Sequence, residues 1–284
     1  MMRTGLIGIE SYVDGTLIRS CGEDANRLHK EAFSAGFKHV FGVDTTIDVV
    51  KHHGGTDPLI AVKQRGRRPA AVLHSPRRRA AAPPLQATVF SILAAARRRH
   101  AIVQALERLP ELQAAMIKHF EAHSDRAGLG LQLLPGVRAL LETLQGRDDV
   151  ATCLVTGNLE PIGWGKMAAL GIEQLFTAPR FGGFGSDHCS GDTDEMWRDR
   201  AEFVAVAARR CADAFPDADI AAHWHVGDTP MDVQAALASG AAALGVATGV
   251  FPLESLRALG APPRVVVLES LEDTEAVMAA LGLS

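Results

Sequence analysis

An α/β fold with a parallel sheet wound on both faces is predicted by a pattern that recurs three times along these 284 residues. Short apolar runs at 5–9, 150–155 and 222–226 each lead to a polar turn with a glycine. The turns are Asp14-Gly15-Thr16, Thr156-Gly157-Asn158 and Gly227-Asp228-Thr229. Helix-period stretches separate the runs, and strands that alternate with helices pair in parallel, buried on both sides. Ligands of such sheets lie beyond the carboxyl ends of the strands. All three turns fall there.

Taken in order, residues 5–9 form the first strand. Residues 101–122 carry Ile102, Leu106, Leu109, Leu112, Met116, Ile117 and Phe120 at helical spacing, and a second helix spans 137–144 after Pro135-Gly136. The run 150–155 is a buried strand, 222–226 another, and 243–247 and 265–268 complete the sheet. Between Asp57 and Glu107 stand ten lysines and arginines and no acidic residue, interleaved with Ala and Pro. Like-charge blocks of that kind stay solvated. Residues 64–96 are therefore expected to be a disordered basic insertion. An arm for nucleic acid or an acidic membrane is the other use of such charge, but the stretch has few aromatics and no regular spacing.

Composition narrows the function classes. Hydrophobic residues make up 47% and charged residues 22%, enough to bury a core and too apolar for a disordered chain. The net charge of −4 points to no nucleic-acid partner. Cys21, Cys153, Cys189 and Cys211 lie far apart, which argues against a disulfide framework or zinc site and for a reducing compartment. The apolar start is interrupted at Glu10, too early for a secretory signal. The uncharged run 235–253 contains Gly240, Gly245, Gly249 and Pro252, and reads as a helix end and a buried strand, not a membrane span. A cytoplasmic or organellar location is expected.

The three turns together make one candidate site. Asp14, Asp228 and Asp232 are carboxylates suited to a hard cation such as Mg²⁺. Thr156, with the amides of Gly157 and Asn158, suits a phosphate group. Carboxylates, a cation and a phosphate cradle point to phosphoryl chemistry. Each piece also has a plainer reading: Asp14 as a turn residue, Thr156 as a helix cap, Asp228 and Asp232 as a solvated helix start. Three motifs in this order favour the site.

The set Asp14-Gly15-Thr16-Leu17, Leu154-Val155-Thr156-Gly157-Asn158 and Gly227-Asp228-Thr229-Pro230-Met231-Asp232 resembles the haloacid dehalogenase-like hydrolase superfamily, in its phosphoglycolate-phosphatase-like branch. The resemblance implies a doubly wound, Rossmann-like core formed by residues 1–18 and 133–284, with a helical cap at 19–132. It implies Mg²⁺-dependent hydrolysis of a small phosphomonoester, a phosphorylated metabolite, with no specific nucleic-acid or membrane partner. Asp14 then resembles the acid/base that protonates the leaving oxygen, its backbone carbonyl facing the metal. Thr156 resembles the phosphate-binding hydroxyl, Asp228 a direct metal ligand, and Asp232 a ligand that binds directly or through water. Arg200 or Lys166 supplies the cation that neutralises the phosphoryl oxygens, and spacing does not choose between them.

One departure bears on everything else. Where the family's first motif has a nucleophilic Asp, this chain has Tyr12. A phenol ionises near ~10, so it is neutral at physiological pH and bulky beside a metal. Losing one member of a cooperating catalytic set can cost about 10⁶ in rate. Tyr12 then marks a mis-joined gene, a disabled copy that still binds a phosphate ligand or a partner, or chemistry by another route. Other residues take secondary places. His52-His53 cannot share an ion easily, and their loop is expected near the substrate, with Thr56 or His53 in contact. His223 and His225 share one face of a strand, which suggests burial or a surface pair. Cys153 is expected to be an inert, buried thiol.

Overall fold

The computed structural model describes residues 4–49, 56–66 and 100–283. Six parallel strands form the main sheet. They are β1 (Thr4–Ser11), β4 (Val150–Thr156), β5 (Gly182–Phe184), β6 (Asp219–Gly227), β7 (Ala242–Val246) and β8 (Val265–Leu268), ordered β5-β4-β1-β6-β7-β8. A two-stranded antiparallel ribbon pairs β2 (Ile18–Ser20) with β3 (Leu131–Leu133). Helices among the described residues include α1 (Arg27–Phe41), α2 (Asp57–Gly66), α3 (Leu109–Ala122), α4 (Val137–Gln145), α5 (Glu160–Ala169), α6 (Trp197–Ala214), α7 (Pro230–Ser239), α8 (Leu253–Arg257) and α9 (Thr274–Ala280).

Period-two alternation distributes the strand side chains between two cores. Ile9, Val150, Leu154, Leu244 and Val246 pack on one face with Leu140 and Leu144 of α4, Met167 of α5 and Val277 of α9. Leu6, Ala151, Cys153, Val155 and Ala243 pack on the other with Phe203 and Ala207 of α6 and Val233 and Ala236 of α7. Every residue of β4 is buried, as a central strand covered on both sides requires. A third cluster joins α1, α2 and α3 through Phe33, Phe37, Ile60, Leu112, Met116 and Phe120, and meets Leu159 and Ile162 at the start of α5. This helical layer sits over the strand ends as the inserted cap of the predicted fold.

Three expectations change. The single helix over 101–122 is broken at Arg108, and α3 restarts with Pro110 in its first turn, where a missing N–H costs nothing. Strand β5 escapes the apolar-run criterion because it is Gly182-Gly183-Phe184; a Cβ at Gly183 would collide with the backbone of Phe203, so glycine lets α6 approach. Residues 64–66 of the expected basic insertion complete α2, while 67–96 lie outside the described residues, as do His52 and His53. No helix among the described residues is long and apolar enough to cross a membrane.

Candidate functional site

A cavity of about 550 Å³ opens where the carboxyl ends of β1, β4 and β6 meet the helical layer. Tyr12, Asp14, Gly15, Gly157, Asn158, Arg200 and Asp228 line its floor, and Asn26, His29, Lys30, Ile47, Asp57 and Ile60 line the opposite wall. Three loops distant in sequence therefore meet at one rim, as the motifs predicted.

Local geometry explains each placement. Gly15 turns the chain at φ +89°, and its amide donates to the carbonyl of Ile18 at 2.8 Å. A Cβ there, or at Gly249, would strike the Asp228 carboxylate, so glycine makes room for that side chain. Thr16 donates its hydroxyl to Asp228 Oδ1 at 3.0 Å, tying the first turn to the third. Pro230 opens α7, and Thr229 caps it in a capping box with Asp232. In α6, Arg200 shares the inward stripe of Phe203, Val204, Ala207 and Cys211, one turn nearer the strand ends. That spacing delivers its guanidinium to the cavity floor.

Two buried cations hold two separate carboxylates. Lys166 Nζ, at the end of a fully buried side chain on α5, donates to both oxygens of Asp14 at 3.2 Å and to Asn158 Oδ1 at 2.9 Å. Asn158 Nδ2 donates to Asp14 Oδ2 at 3.0 Å and to the Thr156 hydroxyl at 2.6 Å. Loss of water around Asp14 would raise its pKa, but the Lys166 charge, the Asn158 hydrogen bond and His29 outweigh that and hold it below the usual value. Arg200 instead pairs with Asp232 Oδ1 and donates to the Tyr12 hydroxyl at 2.7 Å, its guanidinium 4.2 Å from the centre of the Tyr12 ring. Of the two cations, Arg200 is the one that lines the cavity.

Tyr12 is buried and far from ionising. Burial pushes its pKa up, the Arg200 charge opposes, Asp232 and Asp14 push the same way as burial, and the result stays well above the ordinary phenol value. Asp228 is also pushed up, to about 7, by burial and then by the nearby Asp232 charge, against Thr16 and Arg200. Burial alone would raise Asp232, but Arg200, with His225 and Thr229, holds it low.

Whether these residues suit Mg²⁺ can be judged from their oxygens. Asp232 Oδ1 is engaged by Arg200 and Oδ2 accepts from the Thr229 amide at 3.0 Å and hydroxyl at 2.7 Å, so neither oxygen stands open for direct ligation of a metal. The Asp14 side chain is turned to Lys166 and Asn158, which leaves only its backbone carbonyl for the metal-facing part expected of it. Position 12 offers a neutral phenol. Among the described residues, Asp228 is the carboxylate on the cavity floor with no ion pair, and no group of three His, Cys, Asp or Glu is arranged to hold an ion. The donor set does not fit a resident Mg²⁺.

Other expected residues are placed differently from the motif reading. The Thr156 hydroxyl is taken up by the Asn158 side chain and amide and does not line the cavity. Thr56 is fully buried, and its hydroxyl accepts from the Leu59 amide in the first turn of α2. Its neighbour Asp57 reaches the cavity instead. Asp57 Oδ2 lies 2.9 Å from His29 Nε2 and accepts from the Leu159 amide at 3.3 Å, while the Asp57 amide donates to the Gly157 carbonyl at 2.9 Å. This His29–Asp57 pair buckles the helical layer to the loop after β4, and no motif announced it.

Behind the site, Glu10 faces the second core beside Cys153 of β4, Cys211 of α6, and His223 and His225 of β6. His223 Nδ1 lies 3.3 Å from Glu10 Oε1 without hydrogen-bond alignment, and neither Glu10 oxygen has a hydrogen-bond partner among the described residues. Burial raises the Glu10 pKa above 4.5, only partly offset by His223 and His225. Ionising Glu10 thus costs more in the folded chain than in the unfolded one, and stability falls as pH rises above 4.5. Glu10→Gln is expected to raise the urea midpoint at pH 7 and to lose that advantage toward pH 4. An unchanged midpoint at pH 7 would show that the carboxylate is compensated. Cys153, expected to be inert, is buried with its thiol pKa raised by burial and by Glu10, and all four cysteines are free.

Comparison with one solved structure agrees with the architecture. CbbY from Rhodobacter sphaeroides, solved in complex with phosphate, superposes with a TM-score of 0.53 at 16% identity, covering 100% of both chains. A predicted phosphoglycolate phosphatase from Haemophilus somnus aligns with a TM-score of 0.48 at 15% identity, over 98% of this chain and 99% of that one. No curated protein matches the chain. The family model for haloacid dehalogenase-like hydrolases matches residues 40–237, a span that begins after Tyr12 and Asp14 and contains Thr156, Lys166, Arg200, Asp228 and Asp232. Covering more than half of the sequence, that match makes the chain a member of the haloacid dehalogenase-like hydrolase family.

Proposed function

We propose that this chain binds a small phosphomonoester in the cavity and does not hydrolyse it. The observation that carries the proposal is Tyr12: its hydroxyl, pinned by Arg200, occupies the position where the resemblance places a nucleophilic carboxylate. A neutral phenol with a raised pKa is a poor nucleophile toward phosphorus. The remaining parts suit binding. Arg200 presents a planar guanidinium to the cavity, a shape matched to phosphoryl oxygens. Asn158 is fixed by three neighbours, and Lys30 stands on the wall above.

The competing reading is Mg²⁺-dependent hydrolysis of a phosphoglycolate-like monoester. Family membership and the anionic Asp14 support it; Tyr12 and the engaged Asp232 weigh against it. Titration with p-nitrophenyl phosphate separates the two. Ligand at a hundredfold its Kd is expected to stabilise the fold by about 2.7 kcal/mol, read as a rise in melting temperature. No p-nitrophenol is expected above the buffer rate. Absence of a thermal shift defeats binding, and steady turnover defeats the non-hydrolysing half.

A further inference from the structure

We infer that the cavity takes its phosphoryl dianion without a divalent cation, the Arg200 guanidinium providing the positive charge that a metal would bring. The inference rests on the phosphomonoester reading above and specifies its chemistry.

Three independent placements lead to it. First, Arg200 is 1% exposed yet lines the cavity, so its charge is delivered to the floor and not to bulk water. Second, it stands among the oxygens a metal would need. One nitrogen pairs with Asp232, another donates to Tyr12, and its pKa, lowered by burial, is carried above the usual value by Asp232, Tyr12 and Asp228. A second cation inserted beside Asp228 would meet this fixed like charge at close quarters. Third, Tyr12 removes one anionic ligand and adds a ring on which the guanidinium stacks. The planar cation is thereby held in one orientation before any ligand arrives, which lowers the ordering cost of binding. Gly15 and Gly249 keep the Asp228 carboxylate within the same floor. Of the three carboxylates on or beside the floor, Lys166 pairs with Asp14 and Arg200 with Asp232, and Arg200 is the built-in cation that reaches the cavity.

The test is calorimetric titration of the full chain with inorganic phosphate, once in EDTA and once in excess MgCl₂. Equal affinity in the two buffers, within about twofold, is the expected result. Affinity at least about tenfold weaker in EDTA overturns the inference while leaving phosphate binding intact. No heat of binding in either buffer overturns the phosphomonoester reading itself. Arg200→Lys keeps a charge for Asp232 but loses the planar fork, and is expected to weaken binding by about tenfold in both buffers. Circular dichroism checks that this variant is folded. If Mg²⁺ restored its affinity, a metal would be shown to share the same role, and the inference would fail.

Discussion

Tyr12→Asp is expected to release p-nitrophenol from p-nitrophenyl phosphate, where the unsubstituted chain is expected to release none above the buffer rate. The substitution places a carboxylate at the end of β1, beside Arg200 and on the cavity floor that Asp14 also lines. An ionised carboxylate next to that guanidinium is a competent nucleophile, and Asp14 is held as an anion two residues on. Loss of such a group can cost about 10⁶ in rate, so even an imperfect restoration should exceed wild type by at least about 10². The assay should include Mg²⁺, because the new carboxylate adds a hard oxygen ligand beside Asp228. Turnover by wild type equal to that of the variant would place the chemistry on another group. Silence from both, with phosphate still bound, would mean that the cavity floor lacks more than its nucleophile.

Arg200→Met is expected to lower stability by about 3–5 kcal/mol, because it leaves Asp232 buried and uncompensated and deprives the Tyr12 hydroxyl of its donor. Asp232 is 1% exposed and cannot regain the loss from water. Pairing the change with Asp232→Leu should recover much of the deficit, since breaking one partner of a buried pair costs more than replacing both. Urea unfolding of the two single variants and the double variant measures the coupling. If Arg200→Met cost less than about 1 kcal/mol, the pair would be behaving as a solvated surface bridge.

These two residues also show what local sequence reveals and what it leaves hidden. The sheet was legible because its strands are short apolar runs whose odd and even residues feed different cores. It failed at β5, where Gly182-Gly183 carries no apolar signal and serves the approach of α6. The helix break at Pro110 was a local cue that the apolar periodicity of 101–122 overrode. In the site, Asp14 and Asp228 were legible through motif order and the cavity gathers both, whereas spacing left Arg200 and Lys166 open and only the tertiary structure shows that Arg200 lines the cavity. Asp232 was read as a metal ligand from its position alone. Its commitment to Arg200 spans 32 residues of sequence and depends on which face of α6 turns inward. Thr156 and Thr56 were chosen for their hydroxyls, yet both hydroxyls accept from neighbouring groups of their own loops and neither residue lines the cavity. His29 and Asp57 meet across 28 residues, with nothing at either position to advertise the other. Residue type reports chemical capacity, whereas occupancy of that capacity is decided by tertiary contacts.

Tyr12 is the only tyrosine in the chain. Its alkaline ultraviolet titration therefore originates from one oxygen atom, and that atom is bonded to Arg200 at the floor of the cavity. The protein thus carries an intrinsic optical probe at the place of greatest interest, with no dye or label needed. Any ligand that draws Arg200 toward itself must change the field at the phenol, so occupancy of the cleft is expected to show in the ultraviolet difference spectrum of this one tyrosine, measured against the constant background of three tryptophans.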